Sequence, residues 1–130
     1  LFCPGGSVQE TGASNFLLLA DGRVLTRSLD STFLHGVTRD SVLTLAREEG
    51  YQVEERVFDV AEMLDWARGG EAVLSGTAAV LAGVGALIYH GQEHRVGTGE
   101  VGPHTRKLRE RLVSIQRGEA RDSHGWTKRI

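Results

Sequence analysis

Phe16-Leu17-Leu18-Leu19-Ala20-Asp21-Gly22-Arg23-Val24-Leu25 is the stretch whose reading decides the fold of this chain. Two apolar runs flank an Asp-Gly pair. In a two-residue hairpin of type I′ both central residues need positive φ, which Gly adopts freely and Asp tolerates. The pair therefore predicts a β-hairpin, with strands near 15–20 and 23–27.

Beyond the hairpin the pattern changes from strand to helix. Gly36-Val37-Thr38 leads into an apolar stripe of Val42, Leu45 and Ala46, with Leu43 beside it, at helical spacing. Thr38 suits the N-cap, and Gly50 suits the left-handed position just past the end. Val53 to Phe58 reads as a strand. Asp59, with Glu62 three residues on, resembles a capping box opening a second helix, whose apolar face is Val60, Met63, Leu64 and Ala67. Gly69-Gly70 stops it. Ala72 to Val96 reads as several strands joined by glycines, with Gly91 between Ala86–Tyr89 and Glu93–Val96. Pro103 opens a third helix, where its missing N–H costs least. Leu108, Leu112 and Ile115 form its buried stripe, Gly118 ends it, and a polar tail carries Trp126. Mixed strands with about three main helices make the expected class α+β, with an α/β-like character.

Composition narrows the function. A length of 130 residues suits one domain around one core. The net charge is −2 and the basic residues are interspersed with acidic ones, which argues against a nucleic-acid or acidic-membrane partner. The longest apolar run, Ala78 to Tyr89, is broken by Gly83 and Gly85 and falls short of the roughly 20 residues of a membrane span. Cys3, the one cysteine, has no internal partner, which fits a reducing compartment such as the cytoplasm. Leu1-Phe2-Cys3 has no basic region and is too short for a signal peptide.

Three segments could carry chemistry. Gly36-Val37-Thr38 sets a glycine before a helix start, where free N–H groups and the aligned peptide dipoles suit an anion such as phosphate. On spacing alone a capped surface helix is the favoured reading, and Asp40 in the first turn opposes an anion. In Ser75-Gly76-Thr77-Ala78-Ala79, small residues after a strand can expose consecutive N–H groups, or can simply pack closely. Glu10 precedes a strand, where a carboxylate is usually solvated and a buried one needs a proton-bearing partner. His35, His90, His94, His104 and His124 lack metal-site spacing, so no metal is expected. Arg106, Arg109, Arg111 and Arg117 read as the solvated face of the third helix.

The three segments occur together and in order, and the chain resembles the branched-chain amino acid aminotransferases, pyridoxal 5′-phosphate (PLP) enzymes of fold type IV. The resemblance is carried by Glu10-Thr11-Gly12-Ala13-Ser14-Asn15, Leu34-His35-Gly36-Val37-Thr38-Arg39-Asp40-Ser41-Val42, Ser75-Gly76-Thr77-Ala78-Ala79, and Gly102-Pro103 through Ile115-Gln116-Arg117-Gly118 to Gly125-Trp126. It implies that Glu10 pairs with the protonated pyridine nitrogen of the cofactor, which makes the ring an electron sink. It implies that Leu34 packs on the ring and that the backbone of Val37 and Thr38, the Thr38 hydroxyl and Thr77 hold the phosphate. It places the substrate carboxylate on the backbone of Thr77 and Ala78, with Ala13 close to the substrate. His35 stands where the family usually has proline.

The implied reaction is transamination of leucine, isoleucine or valine with 2-oxoglutarate, in a cytoplasmic homodimer whose partners are small amino acids and 2-oxo acids. Residues 1–130 then correspond to a single, incomplete C-terminal large domain, without the family's small N-terminal domain. The lysine that binds the cofactor lies upstream in the family, and neither Lys107 nor Lys128 replaces it. No catalytic residue is therefore expected within the chain, and the chain alone is expected to be inactive. D-amino-acid aminotransferase or aminodeoxychorismate lyase of the same fold, or a non-catalytic domain derived from it, are the alternatives.

Overall fold

The computed structural model describes residues 1, 3–11, 14–30, 36–76 and 80–128. In chain order its strands and helices are β1 (Asn15–Ala20), β2 (Arg23–Thr26), α1 (Val37–Glu48), β3 (Gln52–Glu55), α2 (Val60–Gly69), β4 (Glu71–Ser75), β5 (Leu81–Val84), β6 (Ala86–Tyr89), β7 (Gln92–Arg95) and α3 (Pro103–Gln116). The α+β expectation holds. A five-stranded sheet has the order β3-β2-β1-β4-β5, and β6 and β7 form a separate two-stranded ribbon.

The first hairpin pairs β1 antiparallel with β2, with Leu17 opposite Thr26 and Ala20 opposite Arg23. Its turn differs from the type I′ expectation. Gly22 has φ 70°, but among the described non-glycine residues positive φ occurs only at His90. One positive φ, at the second central position, is the type II pattern. The I′ signature falls instead between β6 and β7, where His90 has φ 51° and Gly91 has φ 75°.

β3 lies parallel to β2, and every other pairing in the large sheet is antiparallel. Parallel neighbours need a crossover, and α1 supplies it. Side chains alternate across the sheet, so β1 feeds two cores. Leu17 and Leu19, with Val24 and Val73, face α1 and α3 through Val42, Leu45, Leu108, Leu112 and Ile115. Phe16 and Leu18, with Leu25 and Ala72, face α2 and the ribbon through Met63, Ala67, Leu87 and Val96. A strand covered on both sides reads as an unbroken apolar run, which is why Phe16–Leu19 shows no alternation.

Local signals set most helix ends. Asp59 caps α2 by accepting from the Glu62 N–H at 2.9 Å. The other half of the expected box differs, because the Glu62 carboxylate is taken by Arg56, whose Nη1 donates at 2.9 Å. Past α1, the Gly50 N–H donates to the Arg47 carbonyl and the Tyr51 N–H to the Ala46 carbonyl, the paired bonds of a Schellman ending. Other boundaries move. The cap of α1 is Gly36, not Thr38, and Thr38 lies inside the first turn. β3 stops at Glu55 rather than Phe58, because Val57 turns 57% exposed and Phe58 leaves the sheet for the α2 core. Among the described residues no helix is long and apolar enough to cross a membrane, and no three His, Cys, Asp or Glu side chains are placed to hold a metal.

Candidate active site

Strand register gathers the candidate residues at one end of the large sheet. The first residue of β1, Asn15, pairs with the last residue of β4, Ser75. Directly opposed residues share a face, and Asn15, two residues from Leu17, lies on the α1 side. Both are polar where the apolar rows of that face run out, and both are buried, Asn15 at 4% and Ser75 at 1% exposure.

Asn15 joins two of the three segments. Its Nδ2 donates to Glu10 Oε2 at 2.7 Å. Its Oδ1 fills the space beside Gly36, where any Cβ would overlap it. Glu10 and the start of α1 therefore flank a single carboxamide, although more than twenty residues separate them in sequence. Glu10 is half-buried, not the freely solvated carboxylate that its position before a strand allows.

The start of α1 has the character an anion requires. Its cap is glycine in extended conformation, with no capping side chain. The starts of the other two helices are occupied by carboxylates: Asp59 at α2, and Glu71 at α3, which accepts from the N–H groups of His104 at 2.9 Å and Thr105 at 2.8 Å. Val37, the first residue of α1, is 82% exposed, so the start of this turn borders solvent. Thr38 and Asp40 line the same groove with Leu112, Ile115 and Trp126. Three backbone donors and a helix dipole suit a phosphate.

Ser75 supplies a further sign of polar chemistry at this end of the sheet. Its hydroxyl is buried and has no hydrogen-bond partner among the described residues. Buried hydroxyls are normally satisfied, so an orphan at a sheet end marks a place where a polar partner belongs.

The C-terminal tail closes the groove. The His124 and Trp126 rings stack at 4.2 Å between centroids. The Asp122 carboxylate organises this turn by accepting from the Thr127 N–H at 2.6 Å, the Thr127 hydroxyl at 2.9 Å and the His124 N–H at 3.1 Å. Those donors, the Thr127 N–H above all, hold its carboxyl down at about 2.

Of the residues expected in the site, Glu10, Val37 and Thr38 are described and lie together. Ala13, Leu34, Thr77 and Ala78, and also His35, lie outside the described residues. Lys107 Nζ sits 3.0 Å from Glu49 Oε2, just past the far end of α1. At about 1.5 Å of rise per residue, the twelve residues of α1 put that end about 18 Å from Val37. One part of the supposed solvated arginine face is a staple: Arg111 donates to Glu49 Oε1 at 2.9 Å and binds α3 to α1. Asn15 and Ser75 were not singled out from sequence. Their signal is positional, because both are polar residues at the ends of apolar strands.

A carboxylate and an uncapped helix start are thus bridged at the end of a mixed sheet. The family profile of the class IV amino-transferases matches residues 1–87, and the chain belongs to that family. The curated relatives it matches include branched-chain-amino-acid aminotransferases. The one from Mycolicibacterium smegmatis is 40% identical over 130 residues, covering 95% of this chain and 35% of the relative. Among solved structures, the branched-chain amino acid aminotransferase of Escherichia coli superposes with a TM-score of 0.81 at 33% identity, over 96% of this chain and 40% of that one. The branched-chain aminotransferase of Thermobaculum terrenum, solved in its PLP form, gives a TM-score of 0.76 at 34% identity, over 90% of this chain and 36% of that one. The chain spans about a third of the length of the curated relatives it matches.

Proposed function

We propose that this chain forms the cofactor-binding end of the large domain of a PLP-dependent transaminase, in a longer protein that acts as a homodimer. Its substrates are leucine, isoleucine and valine, with 2-oxoglutarate as amino acceptor, and a cytoplasmic setting goes with these substrates. The single observation that carries the reading is the Asn15 bridge between Glu10 and Gly36. It puts a carboxylate for the ring nitrogen and an uncapped helix start for the phosphate one side chain apart.

When bound, PLP supplies an electron sink for charge that develops at the substrate α-carbon. Glu10 holds a proton on the ring nitrogen by offering it a negative partner. The N–H groups of Val37 and Thr38, with the Thr38 hydroxyl, bind the phosphate and set its orientation. Leu34 covers the ring, Thr77 adds to the phosphate contacts, Thr77 and Ala78 take the substrate carboxylate, and Ala13 borders the substrate. The cofactor's lysine comes from outside these 130 residues, since Lys107 is committed to Glu49 and Lys128 belongs to the tail. The 34–40% identity to branched-chain enzymes supports this substrate class.

The test is Glu10→Gln in the protein that contains this chain. The amide keeps the shape and loses the charge. Turnover of leucine with 2-oxoglutarate falls by more than about tenfold, a barrier increase of at least about 1.4 kcal/mol, while thermal unfolding is unchanged. Wild-type turnover in a folded Glu10→Gln protein removes Glu10 from the site.

A further inference from the structure

We infer that Asn15 is a positioning residue of this site: one buried carboxamide aims the Glu10 carboxylate and sets the distance between it and the start of α1. The inference rests on the proposed roles of Glu10, Val37 and Thr38, and assigns to Asn15 the task of holding them in register.

The burial of Asn15 is the first support. A carboxamide at 4% exposure must be hydrogen-bonded to be tolerated, and its 2.7 Å bond to Glu10 has the length of a charge-assisted contact. The side chain is also anchored. Asn15 is paired to Ser75 in β4 and is followed in the chain by fully buried β1 residues, so its backbone cannot drift.

The second support is the fit at Gly36. The Asn15 Oδ1 occupies the place of a side chain at position 36. Any residue with a Cβ there must rotate the carboxamide, and rotation withdraws Nδ2 from Glu10. Residues 15 and 36 are thus a matched pair, with glycine required at 36 because asparagine stands at 15. Gly36 is also the cap of α1, so the next two N–H groups, of Val37 and Thr38, are placed by the same contact.

Alternative residues fail for chemical reasons. Aspartate keeps the shape but cannot donate to Glu10, and it sets a second negative charge beside it. Leucine fills the volume and offers no donor, so the 2.7 Å bond that aims the carboxylate is lost. Serine is too short to reach from Gly36 to Glu10.

The experiment uses the protein that contains this chain, loaded with nitrogen-labelled PLP, in Asn15→Leu, Gly36→Ala, Glu10→Gln and Asn15→Leu/Glu10→Gln forms. Two quantities are read: the dissociation constant of the cofactor, and protonation of its ring nitrogen by NMR across pH. Unfolding of each cofactor-free protein reports the fold. In Asn15→Leu and Gly36→Ala the ring nitrogen loses its proton at lower pH than in the wild type, and cofactor affinity falls on the order of tenfold. In the Glu10→Gln background, Asn15→Leu causes no further change at the ring nitrogen, because the group it aims is already gone.

Wild-type ring titration in folded Asn15→Leu overturns the inference, as does a full, additive shift in the double variant. If Asn15→Leu does not fold, Gly36→Ala decides, since it keeps the amide and only displaces it; wild-type titration there overturns the inference. A ring nitrogen unaffected by Glu10→Gln instead overturns the role of Glu10, a separate and distinguishable failure.

Discussion

The carboxylate of Glu71 occupies the space that a side chain on Gly102 would need. Glu71 opens β4, and Gly102 is the cap of α3, whose N–H groups at His104 and Thr105 both donate to that carboxylate. A Cβ on Gly102 would collide with it. An acid from the sheet thus caps a helix whose own cap residue, Gly102, has no side chain, and it favours the positive end of the helix dipole.

That relationship makes two substitutions costly. Glu71→Ala leaves the first turn of α3 without its acceptor and lowers stability by about 1–2 kcal/mol. Gly102→Ala displaces the carboxylate and costs about 1–3 kcal/mol through overpacking. Urea unfolding measures both. Because the two changes break the same contact, the double variant should fall short of their sum; full additivity would show that Glu71 does not cap α3.

His90 is the place to gain stability. It is exposed and holds φ 51° ahead of Gly91 in the turn that joins β6 to β7. A left-handed conformation costs an ordinary residue roughly 1–2 kcal/mol, and asparagine tolerates it best among non-glycine residues. His90→Asn raises stability by about 0.5–1 kcal/mol. An unchanged or lowered midpoint of unfolding would show that the edge contact of the imidazole with the Tyr89 ring, 4.1 Å between centroids, offsets the strain.

Phosphate should find α1 before it finds the arginines of α3. The start of α1 is uncapped beside open space, whereas Arg111 is already engaged by Glu48 and Glu49. Titrating inorganic phosphate should move the amide resonances of Val37 and Thr38 ahead of those of Arg106, Arg109 and Arg111. Thr38→Val removes only the hydroxyl and weakens binding by about fivefold to tenfold, the worth of one hydrogen bond. Shifts centred on α3 would make the anion a visitor to a basic surface.

The tail that closes the groove carries an acid switch. The Asp122 carboxyl titrates at about 2 in the fold against an ordinary value of 3.8. A depressed carboxyl stabilises the turn fully above its ordinary value, and the contribution disappears as pH falls from there through about 2. Stacking of Trp126 on His124 therefore persists at pH 5 and is lost progressively as pH falls from about 4 through about 2. Trp126 emission, read in a Trp66→Phe background, should shift across that window. Asp122→Ala should show the released signal already at neutral pH. The same acid transition surviving in Asp122→Ala would assign it to another carboxyl.

Much of this architecture was legible as local pattern. The apolar run of Phe16–Leu19, the Asp59 cap, Gly50 and Pro103 each act through neighbours within a few residues, so strands, helices and most helix ends follow from sequence. The resemblance alone groups Glu10, Val37 and Thr38 as parts of one site. Three features required the assembled fold. The Asp-Gly turn has a single positive φ, and Asp21 is tied from outside the hairpin by His104 of α3, Nε2 to Oδ1 at 2.9 Å. Glu71 caps a helix that starts 32 residues later, and no local pattern specifies such a contact. Asn15 reaches Gly36 only because β1 lies beside both β2 and β4 and the β2–β3 crossover lays α1 on one face of the sheet. Short-range patterns choose elements because their energies involve only near neighbours. Contacts between remote residues are chosen by strand register and helix placement, and those are settled when both faces of β1 are buried together.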